Sequence, residues 1–175
     1  LSPQIPGRPS RPASPCETVG VTDLDVIIIN WNSTAETLAC LESFRFWSRP
    51  PRKIWVVDNA SEEGGRIPRT GPGPAREVIE SPVNRGFAGG NNLALRRILE
   101  GGEDGFILLI NNDAVIAEQD TVLLRGALEA DRRLGLVGPV IENRQGRSQT
   151  WIGGGRDISR YLDSHLYLPA RPSRV

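Results

Sequence analysis

Short apolar segments rich in Val and Ile recur through the middle of the chain and limit what it can fold into. Five segments are typical of strands: residues 25–30, 53–57, 76–80, 106–110 and 136–141. Segments with helical spacing alternate with them: one that begins at residues 32–34, then residues 87–99 and 118–130. Nearly continuous apolar strands are typical of a parallel sheet that is buried on both faces. This order therefore predicts an α/β fold, in which a mostly parallel sheet carries helices on both faces.

Bulk properties of the chain argue against several classes of protein. Its 175 residues carry 21 basic and 21 acidic side chains, whereas non-specific nucleic-acid binders present a strongly basic surface. Cys16 and Cys40 form no CxxC pair, and His165 is the single histidine. A structural zinc site, a disulfide framework and a histidine-based mechanism are therefore disfavoured. No stretch reaches the roughly 18 apolar residues that span a bilayer, so no transmembrane segment is expected.

The two ends of the chain differ from its middle. Residues 1–22 are rich in Pro, Ser, Gly and Arg, which predicts a disordered leader, with a polyproline ligand as the alternative. Residues 23–145 are expected to form the folded domain, and residues 146–175 to begin a further, incomplete region. The chain begins with Leu and contains no Met, so we expect it to be a fragment of a longer protein.

Polar side chains follow the predicted strands at the point where each strand ends. Asn30 closes the first strand, Asp58 follows the second, and Asn84 follows the third. The fourth strand ends in Asn111-Asn112-Asp113. Because ligands of open α/β sheets bind beyond the carboxyl ends of the strands, these side chains together predict a binding site.

Each of these groups also has a structural alternative. Asp58 can accept hydrogen bonds from a ribose or a base, or it can cap the turn at Ser61. The glycine-rich segment 84–92 (NRGFAGGNN) can approach a phosphate at a helix N-terminus, or it can be an ordinary loop and cap. Asp113 and the neighbouring amides suit Mg²⁺ or Mn²⁺, or the Asp can cap the next helix. Trp31 can stack on a base or a sugar, or it can pack against its neighbours.

Four segments, in this order and spacing, resemble glycosyltransferase family 2, and most closely its rhamnosyltransferase-like branch: residues 26–32 (VIIINWN), 56–61 (VVDNAS), 84–92 (NRGFAGGNN) and 108–113 (LLINND). The resemblance implies a GT-A fold, whose nucleotide-binding sheet is similar to a Rossmann fold. It implies a nucleotide-sugar site formed by Asn30, Trp31, Asp58, Asn84, Gly86, Asn91, Asn92, Asn111 and Asn112. Asp113 stands at the metal-binding end of the family's DxD motif, and Asn111 replaces the first Asp of that motif.

The resemblance also implies a reaction and its partners. Residues 23–145 would bind a TDP-, UDP- or GDP-linked sugar with Mg²⁺ or Mn²⁺, and the sugar would pass to a glycan or lipid-linked acceptor with inversion. Such enzymes serve cell wall polysaccharide biosynthesis, in the cytoplasm or peripherally at the inner membrane. The family's acceptor-side base has no equivalent in this sequence, so we expect it beyond Val175. The alternatives are a degenerate module that binds a nucleotide without transfer, and a receiver-like phosphoacceptor domain, which is disfavoured because Lys53 is the only lysine.

Overall fold

A computed structural model of the chain describes residues 23–71, 73–142 and 148–149. The predicted leader, residues 1–22, and most of the predicted region 146–175 lie outside the described residues. The chain divides into two units, Leu1–Glu118 and Gln119–Val175. The candidate site belongs to the first of them.

The first unit is built on a four-stranded parallel sheet. Its strands are β1 (Leu24–Asn30), β2 (Lys53–Asn59), β3 (Glu77–Ser81) and β4 (Phe106–Asn111), in the order β3-β2-β1-β4. Every neighbouring pair is parallel. These four strands confirm the predictions made from the apolar segments, and β2 runs on past the predicted end as far as Asn59.

Two helices cover opposite faces of this sheet, α1 (Thr34–Glu42) and α2 (Gly86–Gly101). One buried cluster joins α1 to the sheet and contains Val26, Ile28, Ile54, Val56, Cys40, Leu41 and Phe44. A second cluster joins α2 to the other face and contains Ile27, Trp55, Val57, Ala94 and Ile98. Successive strand residues thus alternate between the two clusters, as the pleat of a strand requires. Each fully buried Val or Ile stabilises the fold by about 1.5–3 kcal/mol, and the predicted α/β fold with helices on both faces is confirmed.

The second unit holds most of α3 (Glu118–Ala130), which has the predicted bounds, and a short antiparallel pair, β5 (Ile141–Glu142) and β6 (Ser148–Gln149). The predicted fifth strand over residues 136–141 is wrong. Only its last residue, Ile141, lies in a strand, and Leu136 and Val140 are 83% and 70% exposed. Gly138 and Pro139 interrupt the segment, because Pro has no N–H for a sheet ladder and Gly has no side chain to pack.

Candidate functional site

A cleft of about 450 Å³ lies at the carboxyl ends of β1, β2 and β4. The chain runs from β1 to β2 and β3 on one side and then crosses to β4 on the other, so the strand order reverses between β1 and β4. In open α/β sheets such a reversal is where ligands bind. The cleft draws on all four segments that carry the family resemblance, and it is lined by Ile29, Trp31, Ser33, Asn59, Asn84, Gly86, Phe87, Asn111 and Asn112.

The alternation of side chains along each strand decides which strand-end residues reach the cleft. Ile29, Asn59 and Asn111 stand in register with the residues of the α2 face, and all three line the cleft. Their neighbours Asn30 and Asp58 fall on the α1 face and are 0% and 3% exposed. The strand ends therefore supply two layers of polar groups, one in the cleft and one buried behind it.

Asp58 is the centre of the buried layer. Its carboxylate accepts hydrogen bonds from the backbone N–H of Ser61 at 2.9 Å and of Ile67 at 3.1 Å, and from the Asn30 side-chain amide at 3.1 Å. These contacts fix the loop that follows β2, in which Glu63–Gly65 forms a short 3₁₀ turn. The structure therefore shows the turn-capping arrangement for Asp58, and it does not bring Asp58 to the cleft lining.

Asn30 joins Asp58 to the neighbouring elements. Its amide nitrogen also donates to the Ser61 hydroxyl at 3.1 Å and to the Gly65 carbonyl at 2.8 Å, and its amide oxygen accepts from the Thr37 hydroxyl at 2.8 Å. A buried amide with this many partners is satisfied by its own chain. Direct contact of Asn30 or Asp58 with a ligand stays a prediction.

The glycine-rich turn before α2 is held by the side chain of Asn59. Its amide nitrogen donates to the Asn84 side-chain oxygen at 2.9 Å and to the Gly86 carbonyl at 3.2 Å, and its oxygen accepts from the Arg85 N–H at 2.9 Å. Gly86 has a φ of 65°, a conformation that residues other than glycine rarely adopt. The Asn84 side-chain oxygen accepts from the Gly86 N–H at 2.8 Å, and the positive end of the helix dipole at this turn suits an anion.

The structure separates the two other Asn residues of this turn from the cleft lining. Asn91 is 4% exposed, and its amide nitrogen donates to the Phe87 carbonyl at 2.9 Å within α2. Its amide oxygen is buried without a hydrogen-bond partner. Asn92 is exposed, and neither residue lines the cleft. Their predicted role in the nucleotide pocket stays a prediction.

Two aromatic side chains stand open to solvent in the cleft. Trp31 follows β1 and is 56% exposed, and Phe87 lies in the first turn of α2 and is 54% exposed. Large apolar side chains that line a concave site are typical of pockets for planar or cyclic ligands. The exposed ring of Trp31 argues against the packing alternative, and its stacking on a base or a sugar stays a prediction.

The Asn111-Asn112-Asp113 turn closes the β4 side of the cleft. Asn111 and Asn112 line it, whereas Asp113 is exposed and accepts no hydrogen bond among the described residues. The Asn111 carbonyl accepts from the Ala114 N–H at 3.1 Å and from the Cys40 thiol at 3.7 Å. Burial, and then the negative charge of Asp113, raises the pKa of the Cys40 thiol to about 12.

The model of the glycosyl transferase family 2 domain matches residues 25–170. The chain belongs to this family. Comparison with curated proteins and with solved structures gave no match. The family accounts for the parallel α/β sheet, and it makes the chain a glycosyltransferase. Among the described residues, no helix combines the length and the apolar character that crossing a bilayer requires.

Members of family 2 commonly use a divalent cation, and binding of that cation by Asp113 stays a prediction. The described residues contain no group of three or more His, Cys, Asp or Glu side chains that could hold a metal ion by themselves. Mg²⁺ is usually held by one or two carboxylates together with substrate phosphates and water. An exposed carboxylate beside the cleft therefore suits a cation that arrives with a diphosphate.

The residues predicted for the nucleotide-sugar site do not include four of the cleft residues, which are Ile29, Ser33, Asn59 and Phe87. Asn59 and Phe87 lie inside the family segments, and their neighbours Asp58 and Gly86 were chosen instead. The period of two along β2 sets Asn59 on the same face as Val57, but which of the two faces meets the cleft depends on the packing of α2. Ser33 lies in the segment 32–34, where the first helix was predicted to begin, and its hydroxyl contacts the Trp31 carbonyl and the Asn112 amide.

Proposed function

We propose that this family 2 domain binds the nucleoside diphosphate of a sugar donor in the cleft, and that the enzyme transfers the sugar to a glycan or lipid-linked acceptor with inversion. One observation carries the proposal. Four segments that are far apart in sequence converge on a single cleft at the reversal of strand order. Family membership supplies the class of reaction.

In this proposal each wall of the cleft meets a different part of the donor. Trp31 stacks on the base or on the sugar, which agrees with its exposed ring. The start of α2, at Gly86, lies beside the diphosphate, where the positive end of the helix dipole favours an anion. Asn111 and Asn112 face the ribose or the diphosphate from the β4 side, and Asp58 contributes through the loop that it fixes.

Asp113 is the residue that would hold Mg²⁺ or Mn²⁺ in the proposed complex. When bound there with a diphosphate, the cation neutralises the negative charge that grows on the leaving group. The protein part of this role is an exposed carboxylate without a competing hydrogen bond among the described residues. A single carboxylate leaves the other coordination positions to phosphate oxygens and water.

The proposed reaction is a single displacement at the anomeric carbon. A base removes the proton from the acceptor hydroxyl, whose oxygen attacks the anomeric carbon from the side opposite the diphosphate. A new C–O bond forms, the bond to the diphosphate oxygen breaks, and the nucleoside diphosphate leaves with the electron pair. The finer assignment that we propose is a rhamnosyltransferase-like enzyme of cell wall polysaccharide biosynthesis that works in the cytoplasm or at the inner membrane.

Calorimetry with UDP, TDP and GDP, each with Mn²⁺ and with Mg²⁺, tests the donor site. We expect one nucleotide to bind, and Trp31→Ala to weaken its binding by about tenfold, as the loss of about 1–3 kcal/mol of stacking implies. Phe46→Ala is the matched control, because Phe46 is 85% exposed and does not line the cleft. A folded sample that releases no heat with any of the three nucleotides would refute the donor-site assignment.

A further inference from the structure

The side chain of Asn112 ties the β4 turn to the beginning of α1. Its amide nitrogen donates to the Ser33 hydroxyl at 2.6 Å and to the Thr37 hydroxyl at 3.1 Å. Ser33 and Thr37 are one helical turn apart, and Thr37 is completely buried. The turn that carries Asp113 is therefore fixed by two hydroxyl groups from a helix more than seventy residues earlier in the chain.

The Ser33 hydroxyl bonds to Asn112 and not to the backbone N–H groups of the helix that it precedes. Ser33 is the N-cap residue of α1, yet its hydroxyl makes no capping hydrogen bond to the helix. Here the hydroxyl donates to the Trp31 carbonyl at 3.2 Å and accepts from Asn112. The same hydroxyl thus links the two sides of the cleft, the Trp31 side and the Asp113 side.

Thr37 continues the connection into the buried layer. Its hydroxyl accepts from Asn112 and is within donating distance of the Asn30 amide oxygen, at 2.8 Å. Asn30 in turn donates to Asp58. A continuous set of hydrogen bonds among buried and half-buried side chains therefore runs from the β2 end of the site to the β4 end. Such networks hold their members in one arrangement when every member is satisfied.

We propose that Ser33 and Thr37 are positioning residues for the cation site, acting on Asp113 through the amide of Asn112. The proposal rests on the proposed function, because it assigns these hydroxyl groups to the binding of the cation that accompanies the diphosphate. Asn112 has the middle place in the turn, between Asn111 in the cleft wall and Asp113. Because Asp113 directly follows Asn112, holding the Asn112 side chain against α1 restricts where the Asp113 carboxylate can lie. Groups that orient a metal ligand through hydrogen bonds typically change metal affinity by about 10–100-fold when they are removed.

The test is a titration of Mn²⁺, followed by electron paramagnetic resonance, in the presence of whichever of UDP, TDP and GDP binds the wild-type protein. Ser33→Ala is expected to raise the Mn²⁺ dissociation constant by about tenfold, and Ser33→Thr, which keeps the hydroxyl, to restore most of the affinity. Ser43→Ala is the matched control, because the Ser43 hydroxyl lies on the same helix and donates to the Cys40 carbonyl at its other end.

A double-mutant cycle separates positioning from direct binding. Asn112→Ala removes the hydrogen bonds to both Ser33 and Thr37, so the double variant Ser33→Ala, Asn112→Ala should lose no more Mn²⁺ affinity than Asn112→Ala alone. Additive losses would overturn the proposal, because Ser33 would then act on the cation site by a route other than the Asn112 amide. A Mn²⁺ dissociation constant that is unchanged in Ser33→Ala would also overturn the positioning proposal, but it would leave the proposed function intact. If the wild-type protein binds none of the three nucleotides, the proposed function fails instead.

Discussion

Replacement of Asp58 by Ala should cost stability, because the carboxylate holds two backbone groups that water cannot reach. Ser61 and Ile67, whose N–H groups donate to it, are each 5% exposed. A buried donor left without a partner costs about 1–3 kcal/mol, so two of them give a loss of about 3 kcal/mol in the free energy of unfolding. The total free energy of unfolding of such a domain is about 5–15 kcal/mol. The loss is therefore large enough to measure, and urea unfolding followed by circular dichroism measures it.

The same experiment distinguishes a structural carboxylate from a ligand. Asp58→Asn keeps one acceptor oxygen and should lose about half as much stability as Asp58→Ala. Glu63→Ala is the matched control, because Glu63 lies exposed in the same loop. The reasoning is refuted if the Asp58→Ala variant unfolds at the same urea concentration as the wild type and yet binds no nucleotide. The carboxylate would then act on the ligand and not on the loop.

Two further predictions concern the glycine-rich turn and the buried thiol. Gly86→Ala should destabilise the protein by about 1–2 kcal/mol, because Gly86 has a φ of 65° while the space around it is open, so the cost is one of backbone conformation. Thermal unfolding measures this loss. Gly64→Ala should change the stability little, because the space there is also open and φ is not positive. In a Cys16→Ser variant, the Cys40 thiol should react with a disulfide reagent at pH 8 only after denaturation, because its pKa is raised from 9.0 to about 12. Its contribution to stability should be complete below about pH 9 and be lost as the pH rises towards 12. Rapid labelling of the folded protein would contradict this.

The sheet could be predicted from the sequence because its strands are buried on both faces. Runs such as Val26–Ile28 and Val56–Val57 are too short for helices and carry branched side chains on every position. Alternation with helical segments then leaves little choice besides a parallel sheet. The segment 136–141 has the same apolar character, but Gly138 and Pro139 remove the backbone donor and the packing that a strand needs.

The position of the site could also be predicted, but not the role of each residue in it. The carboxyl ends of parallel strands lie at the same edge of the sheet however the helices pack on it. Polar residues at these ends are therefore brought close together. Which of two adjacent residues, Asp58 or Asn59, reaches the cleft depends on which face α2 covers. That choice is made by long-range packing, and the sequence does not display it. For the same reason the bond from Asn112 to Ser33 could not be foreseen from a residue that looks like an ordinary helix cap.

The central claim is that the cleft between β1 and β4 holds a nucleoside diphosphate and its cation. A crystal structure of the protein with Mn²⁺ and the nucleotide that binds most tightly tests it most directly, because anomalous scattering locates the manganese independently of the nucleotide density. The account predicts manganese at the Asp113 carboxylate, the diphosphate beside the start of α2, and the base or ribose against Trp31. Manganese and nucleotide bound together at any other surface of a correctly folded protein would contradict it.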